Sequence, residues 1–112
     1  MPALFSYGTL QQREVQQATY GRLLTGARDV LIGHRLEPVV ISDPEVVRLS
    51  GKAVHTIARL SGDPANRIVG VCFHLTDQEL AATDAYEVDA YGRAETVLES
   101  GIKAFVYVGP PI

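Results

Sequence analysis

The sequence predicts an α+β fold, a small mixed β-barrel of about six or seven short strands with two helices. Short apolar stretches typical of strands outnumber helical stretches, and few helices lie between them. Turn-forming groups of Gly, Pro, Asp and Ser separate neighbouring stretches. A doubly wound parallel sheet needs a helix after nearly every strand, so we expect a small closed barrel instead.

In the first half of the chain, residues 3–7 are predicted to form a buried strand. Thr9 and Gln12 have the spacing of a capping box, which predicts a helix from Thr9 to about residue 19, ended by Gly21. Three further strand-type stretches follow, the first of them bent or divided at its glycines: residues 22–36, 38–42 and 52–60. The Ser-Asp-Pro sequence at residues 42–44 predicts a turn.

In the second half, residues 67–75 give the clearest strand, with alternating apolar positions. Thr76 and Glu79 form a capping box, and Leu75 and Leu80 occupy the positions of a hydrophobic staple around it. A second helix is therefore predicted from Thr76 to about residue 86. Strands over residues 91–99 and 103–108 follow, joined by a hairpin turn at residues 99–101.

Composition limits the classes of function. The chain has 112 residues, so we expect one domain over residues 1–112. Its 10 Lys and Arg against 13 Asp and Glu give a net charge of −3, with no basic excess to bind phosphate backbones, so no nucleic-acid partner is expected. One cysteine excludes an intrachain disulfide.

The hydropathy pattern predicts a soluble, cytoplasmic protein. No apolar run approaches the roughly 20 residues of a membrane helix, so no membrane partner is expected. The N-terminus lacks the basic and apolar segments of a signal peptide. No apolar stripe is left over once the core is assigned, so we expect a monomer.

The first candidate site is the Tyr7-Gly8-Thr9-Leu10 segment, where a strand passes through a glycine turn into a predicted helix. Unpaired N–H groups at such a junction favour an anion, and glycine lets the backbone approach a ligand. The alternative interpretation is an ordinary capped turn without a ligand.

The second candidate is Glu87. Leu80, Asp84 and Glu87 are spaced to share one helix face, so Glu87 is expected at the inner end of that face. Withdrawal from water raises the pKa of a carboxyl group, which suits general acid–base catalysis near neutral pH. Alternatively, Glu87 ends the helix in solvent or pairs with Arg93.

The spacing of His34, His55 and His74 does not favour a zinc site. Cys72 has no neighbouring His or Lys in the sequence, so a small buried side chain is expected there rather than a nucleophile.

Together the two candidate segments resemble the γ-glutamylcyclotransferase-like family, in particular its short AIG2-like and γ-glutamylamine cyclotransferase branch. The carriers are Phe-Ser-Tyr-Gly-Thr-Leu at residues 5–10, Asp-Ala-Tyr-Glu at residues 84–87 and Tyr-Gly-Arg at residues 91–93. Residues 70–75 and 104–108 also match, so the resemblance extends from Ala3 to Val108.

The resemblance implies a small mixed barrel that cyclises γ-glutamyl amines or peptides to 5-oxoproline and a free amine, with no metal or organic cofactor. It assigns Glu87 as the catalytic carboxylate. The loop whose amides hold the substrate α-carboxylate would be formed by Tyr7, Gly8, Thr9 and Leu10. Tyr91 and Arg93 match motif positions that bind the substrate or shape its pocket.

The chain departs from the family pattern after the catalytic position, where Val88 stands in place of a frequent glycine. A β-branched residue does not readily adopt a positive φ, so the loop there is expected to run differently and to alter the substrate range. Residues 36–60 match no motif and are expected on the leaving-group side of the pocket. The alternative function is a non-catalytic module that binds a γ-glutamyl or amino-acid-like metabolite.

Overall fold

The computed structural model describes residues 1–40, 42–51, 54–87 and 91–112. Within these residues the chain forms three α-helices: α1 (Arg13–Tyr20), α2 (Pro44–Ser50) and α3 (Asp77–Tyr86). It also forms seven strands: β1 (Ala3–Ser6), β2 (Gly26–Ile32), β3 (His34–Val40), β4 (Val54–Leu60), β5 (Arg67–His74), β6 (Gly92–Val97) and β7 (Lys103–Val108).

The strands form one mixed sheet in the order β2-β5-β1-β7-β4-β3, with β6 paired to β7. β7 runs parallel to β1 and β4, and the other pairs are antiparallel. β2 and β3 lie at opposite ends of this order, yet Gly33 alone connects them. The sheet therefore curls back on itself into a half-barrel, in agreement with the predicted mixed α+β class.

β1 lies inside the molecule, with all four residues buried. Successive side chains of a strand point to opposite faces. Phe5 packs in one apolar cluster with Leu31 and Val106, whereas Leu4 packs in a second cluster with Val15 of α1 and Leu80 of α3. The loop after β1 therefore starts from a strand fixed on both faces.

β5 passes very close to β1 at Gly70. A Cβ atom added there would lie 2.3 Å from the Ser6 carbonyl oxygen and 2.6 Å from Cζ of Phe5. Only glycine leaves room for this approach. Gly70 therefore fixes the position of β1 relative to β5, and with it the position of the loop that follows Ser6.

The first predicted helix begins later than expected. Thr9 makes no capping bond but starts a 3-10 turn, Thr9–Gln11, and α1 begins at Arg13. The predicted capping box is wrong because the Thr9 hydroxyl instead pairs with the Tyr86 hydroxyl at 2.7 Å. The predicted end at Gly21 is confirmed, since Gly21 has a φ of 71°.

Two helices were expected and three are found, so this part of the prediction is wrong. The additional helix is α2, which begins where the sequence predicts a turn. The Asp43 carboxylate accepts a hydrogen bond from Glu45 N–H, Pro44 occupies the first turn, and Gly51 ends the helix with a φ of 73°. These are ordinary start and stop signals, but seven residues are too few for a clear apolar period.

The remaining elements follow the sequence closely. The capping box of Thr76 and Glu79 is present, and Leu75 and Leu80 are both buried. The bent stretch over residues 22–36 is divided at Gly33 into β2 and the start of β3. The conformation predicted to change at Val88 lies outside the described residues, as do parts of the predicted strands 38–42 and 52–60.

Candidate active site

A pocket of about 280 Å³ opens between the loop after β1, the start of β4 and the end of α3. Both candidate segments of the sequence contribute to it. Its walls are formed by Phe5, Ser6, Tyr7, Gly8, Thr9, Leu10, Gln11, Gln12, Val54, His55, Thr56, Glu87, Tyr91 and Tyr107.

The loop after β1 presents backbone donors on one side of the pocket. Thr9 and Leu10 begin the 3-10 turn, so their N–H groups have no carbonyl partner within it, and no other described residue accepts from them. Hydrogen bonds from Gln11 Nε2 to Ser6 O at 3.0 Å and from Gln16 Nε2 to Leu10 O at 2.9 Å hold the loop in place. This side of the pocket is suited to an anion.

The Tyr7 side chain joins two strands. Its hydroxyl donates to the Tyr107 carbonyl oxygen of β7 at 2.6 Å and accepts from the Ala58 N–H of β4 at 2.9 Å. The phenol thus replaces a direct hydrogen bond between the two parallel strands. Because these two hydrogen bonds already engage the hydroxyl, Tyr7 would contribute its ring and its backbone to a ligand site.

Glu87 follows α3 directly and lines the pocket. Its N–H donates to Thr83 O at 3.0 Å, which fixes the backbone. The side chain is largely buried, and its carboxylate has no hydrogen bond or ion pair with any residue in the described part of the chain. Burial raises the pKa of Glu87 from 4.5 to about 7.

All five tyrosines of the chain lie near enough to Glu87 for its charge to act on them. Burial is the main cause that raises the pKa of each phenol, and the Glu87 carboxylate raises it further in every case: Tyr7, Tyr20, Tyr86, Tyr91 and Tyr107. These hydroxyls therefore stay protonated at neutral pH. Glu87, in contrast, has a pKa close to neutral pH.

A family model described as gamma-glutamyl cyclotransferase, AIG2-like, matches residues 4–111. The chain belongs to this family. Membership supports an enzyme of the cyclotransferase type. Among curated proteins no match was found.

The chain is similar in fold to the crystal structure of an uncharacterized protein of Pyrococcus horikoshii, at 16% identity and a TM-score of 0.64. A protein of Arabidopsis thaliana solved in solution is similar at 19% identity and a TM-score of 0.72. A gamma-glutamyl cyclotransferase is similar at 13% identity and a TM-score of 0.75. Each match covers at least 96% of this chain, which spans 78, 61 and 67% of those structures, respectively.

Within this γ-glutamyl cyclotransferase family member, the predicted site residues do not all meet in the pocket. Tyr7, Gly8, Thr9, Leu10, Glu87 and Tyr91 line it, and the Tyr91 hydroxyl donates to Thr56 O at 2.8 Å. Arg93 is not among the lining residues. Its guanidinium donates to Asp84 at 2.8 Å and lies over the Phe105 ring at 5.1 Å.

Arg93 thus pairs with Asp84 and not with Glu87, the partner considered as an alternative. The Tyr107 hydroxyl donates to the other Asp84 oxygen at 2.5 Å. Asp84 therefore connects α3 to β6 and β7, so Arg93 contributes to the position of the helix that precedes Glu87.

Several lining residues carried no motif signal. Val54, His55 and Thr56 belong to the segment expected on the leaving-group side, but the sequence did not single them out. Tyr107 is both buried and part of the wall. The sequence signal that could have identified these β4 residues is the pair of polar residues His55 and Thr56 near the start of a predicted strand.

The described residues contain no group of three or more His, Cys, Asp and Glu side chains placed to hold a metal ion. Cys72 is buried, as predicted, and burial raises the pKa of its thiol. None of the helices in the described ranges has the length and apolar character needed to span a membrane.

Proposed function

We propose that this protein cyclises the γ-glutamyl group of a small γ-glutamyl amine or peptide to 5-oxoproline and releases the free amine. The observation that carries the proposal is the Glu87 carboxylate, largely buried, without a partner among the described residues, and in one pocket with free backbone donors. Family membership supports the same class of reaction.

Glu87 would act first as a base. The substrate α-ammonium group is protonated at neutral pH and has no lone pair for attack. The ionised Glu87 carboxylate takes one proton from it, and the amine nitrogen then attacks the γ-carbonyl carbon. A pKa near 7 places Glu87 in a suitable range to accept and later return this proton.

The second half of the reaction returns the proton. The tetrahedral intermediate collapses, the bond between the γ-carbon and the leaving nitrogen breaks, and that nitrogen takes the proton from Glu87. The attacking nitrogen still carries two hydrogens, one more than the lactam of 5-oxoproline keeps, so the freed Glu87 carboxylate takes this second proton and passes it to the released amine. The products are 5-oxoproline and an ammonium ion, and no water is consumed. One acid–base group is therefore sufficient for both halves.

The loop after β1 would supply binding and orientation. The N–H groups of Thr9 and Leu10 are candidates to hold the substrate α-carboxylate or the developing oxyanion. Ring closure is intramolecular, so holding the substrate in a reactive conformation contributes up to about 10 kcal/mol. Gly8 has no atom within 4 Å of the position of an added Cβ, which leaves open space at the loop.

The test is release of 5-oxoproline, measured by mass spectrometry, from a panel of γ-glutamyl amides with different leaving amines. Wild-type protein is compared with Glu87→Gln. We expect the variant to lose about 10²- to 10⁴-fold in kcat/KM, because general acid–base catalysis typically contributes that much. Glu14→Gln, an exposed position on α1, is the matched control.

Retention of the wild-type rate by Glu87→Gln would remove Glu87 from the mechanism. If the wild-type protein turns over none of the amides but is thermally stabilised by glutamate or 5-oxoproline, the binding-module alternative is favoured. Circular dichroism of both variants establishes that each one is folded.

A further inference from the structure

Two pairs of hydroxyl groups join α3 to the N-terminal part of the chain. The Thr9 hydroxyl lies 2.7 Å from the Tyr86 hydroxyl, and the Tyr20 hydroxyl lies 2.6 Å from that of Thr83. Both distances are those of O–H···O hydrogen bonds. Tyr86 and Thr83 are three residues apart on α3, so the two pairs lie on the same face of this helix.

The Thr83 pair belongs to the packing between helices. The Thr83 side chain is fully buried, and its hydroxyl donates to Glu79 O at 2.9 Å within α3. A hydroxyl has one proton to donate, so Thr83 accepts from Tyr20. Neither residue of this pair lines the pocket. The pair therefore serves the contact between α1 and α3.

The Thr9 pair, in contrast, joins the two halves of the candidate active site. Thr9 lines the pocket and contributes one of the two loop N–H donors, and Tyr86 immediately precedes Glu87. Tyr86 itself does not line the pocket and acts from behind its wall. One hydrogen bond thus fixes how far the loop lies from the acid–base group.

The 3-10 turn carries the loop donors with it. Gly8 O accepts from Gln11 N–H at 3.1 Å, and Thr9 O accepts from Gln12 N–H at 2.9 Å. In a trans peptide the N–H points away from the C=O of the same unit, so the N–H groups of Thr9 and Leu10 point out of the start of the turn. Because the Thr9 side chain belongs to this turn, its bond to α3 also sets where these N–H groups lie.

Thr9 makes this bond in place of a local helix cap. Its spacing to Gln12 is that of a capping box, yet no side chain within the described ranges caps the 3-10 turn or α1. A threonine cap would stabilise a helix start, and local preferences of this kind are typically violated at functional sites. The Thr9 hydroxyl is thus used for a long-range contact beside the pocket.

The proposed function, on which this inference rests, gives that distance a chemical meaning. The α-carboxylate and α-ammonium group of a γ-glutamyl head are bonded to the same carbon, so rotation about single bonds does not change their separation. The substrate therefore cannot adapt if the loop and Glu87 are the wrong distance apart. A displacement of about 1 Å can reduce the rate of an enzyme about 10²-fold.

We infer that Tyr86 is a positioning residue for this reaction: its hydroxyl, paired with that of Thr9, sets the distance between the carboxylate-binding N–H groups and the Glu87 carboxylate. Tyr86 acts through Thr9 and through the backbone that it shares with Glu87. Loss of either hydroxyl keeps both binding groups but releases the loop from α3, so the two groups no longer match the substrate head.

Variants that remove one hydroxyl test this role. Tyr86→Phe and Thr9→Val are each expected to lower kcat/KM for the best γ-glutamyl amide about 10- to 100-fold. The double variant should lose little more than either single variant, because the two hydroxyls act as one pair. Thr9→Ser keeps a hydroxyl and should recover most of the loss. A wild-type rate in Tyr86→Phe or Thr9→Val, or full additivity in the double variant, would overturn the inference.

Tyr20→Phe is the matched control. It removes a phenol hydroxyl from the other pair on the same face of α3, so urea unfolding should show a loss of stability similar to that of Tyr86→Phe. Its kcat/KM should stay within about twofold of wild type, since residues without shared partners act independently. An equal fall in kcat/KM for the two variants would assign the effect to general loosening of α3 and reject the positioning role.

A binding measurement separates this inference from the proposed function. Glutamate and glutarate differ by the α-ammonium group, so at pH 8, where Glu87 is largely ionised, the ratio of their affinities reports whether the loop and Glu87 act on one head. By calorimetry, Tyr86→Phe should lower the wild-type preference for glutamate about fivefold, and Tyr20→Phe should preserve it.

That result without release of 5-oxoproline from any amide would reject the proposed reaction and support the positioning role of Tyr86. If the wild-type protein does not prefer glutamate, or if Tyr86→Phe shows the same preference, the positioning role is wrong.

Discussion

Glu87 lowers the stability of the fold when it is ionised. Its pKa in the folded protein is about 7, above the ordinary value of 4.5, because burial penalises the charged carboxylate. Between these two values the folded state binds more protons than the unfolded state. The stabilising effect of the raised pKa is therefore complete below pH 4.5 and is lost as the pH rises through 7.

We expect Glu87→Gln to unfold with a free energy about 3 kcal/mol higher than wild type at pH 8, since the pKa rises from 4.5 to about 7 and each pKa unit corresponds to about 1.4 kcal/mol. At pH 4 the two proteins should differ little, because Glu87 is then neutral in both states. Urea unfolding at the two pH values measures the difference. A gain of equal size at both pH values would show that the charge is not its cause.

At this scale the sequence predicts some contacts and not others. The inward position of Glu87 followed from its spacing to Leu80 on one helix face. The bridge made by the Tyr7 hydroxyl did not, because its partners Ala58 and Tyr107 lie 51 and 100 residues away in sequence. Nothing local in a Tyr-Gly-Thr segment indicates which strands its phenol will join.

At the scale of the elements, β1 and β5 can pack closely because Gly70 of β5 has no side chain. We expect Gly70→Ala to lower the free energy of unfolding by about 3 kcal/mol or more, because its Cβ would overlap the Ser6 carbonyl and the Phe5 ring. Both residues form part of the pocket wall, so kcat/KM should fall as well.

The control for this change is Gly92→Ala, also in a strand, where the nearest atom to an added Cβ is 3.9 Å away. Its effect in urea unfolding should stay within about 0.5 kcal/mol, as is usual for surface positions. If both variants lost similar free energy of unfolding, the cause would be the general effect of replacing a glycine in a strand and not overlap with β1.

The helices show why local signals succeed or fail. α3 combines a capping box, a hydrophobic staple and ten residues, and it was predicted almost to the residue. α2 has a cap and a terminal glycine but only seven residues, which is under two full turns. At Thr9 the sequence has the spacing of a capping box. The Thr9 hydroxyl pairs instead with the hydroxyl of Tyr86, which is distant in sequence.

For the whole molecule, Gly33 determines how the sheet curls. Its N–H donates to Asn66 O and its carbonyl accepts from Ser61 N–H, both at 2.8 Å, so it ties the two ends of the sheet to the loop between β4 and β5. Its φ of 77° lies in the left-handed region. No atom lies within 4 Å of an added Cβ, so the backbone conformation alone opposes substitution.

Gly33→Ala is therefore expected to lower the free energy of unfolding by about 1–2 kcal/mol, the usual cost of a left-handed conformation. Gly33→Asn should lose less, since asparagine adopts this conformation more readily. Thermal or urea unfolding of the two variants provides the comparison. Equal losses would indicate that contacts, and not φ, limit this position.

Hydrogen bonds also join β2 to the turn between β6 and β7. The buried Asp29 carboxylate accepts from Ser100 Oγ at 2.5 Å and from Val30 N–H at 2.8 Å. Burial raises the pKa of Asp29, but these bonds and one from Ser100 N–H outweigh it and hold the pKa below its usual value. The mixed class was predictable from the order of elements, whereas this curvature depends on such long-range bonds.

The distribution of aromatic residues gives the protein a built-in optical probe. The chain has no tryptophan, so its near-ultraviolet absorbance and emission come chiefly from five tyrosines. Each of the five phenols senses the charge of Glu87. A tyrosine difference spectrum recorded across neutral pH, or on addition of a ligand, therefore reports on the candidate active site without any label.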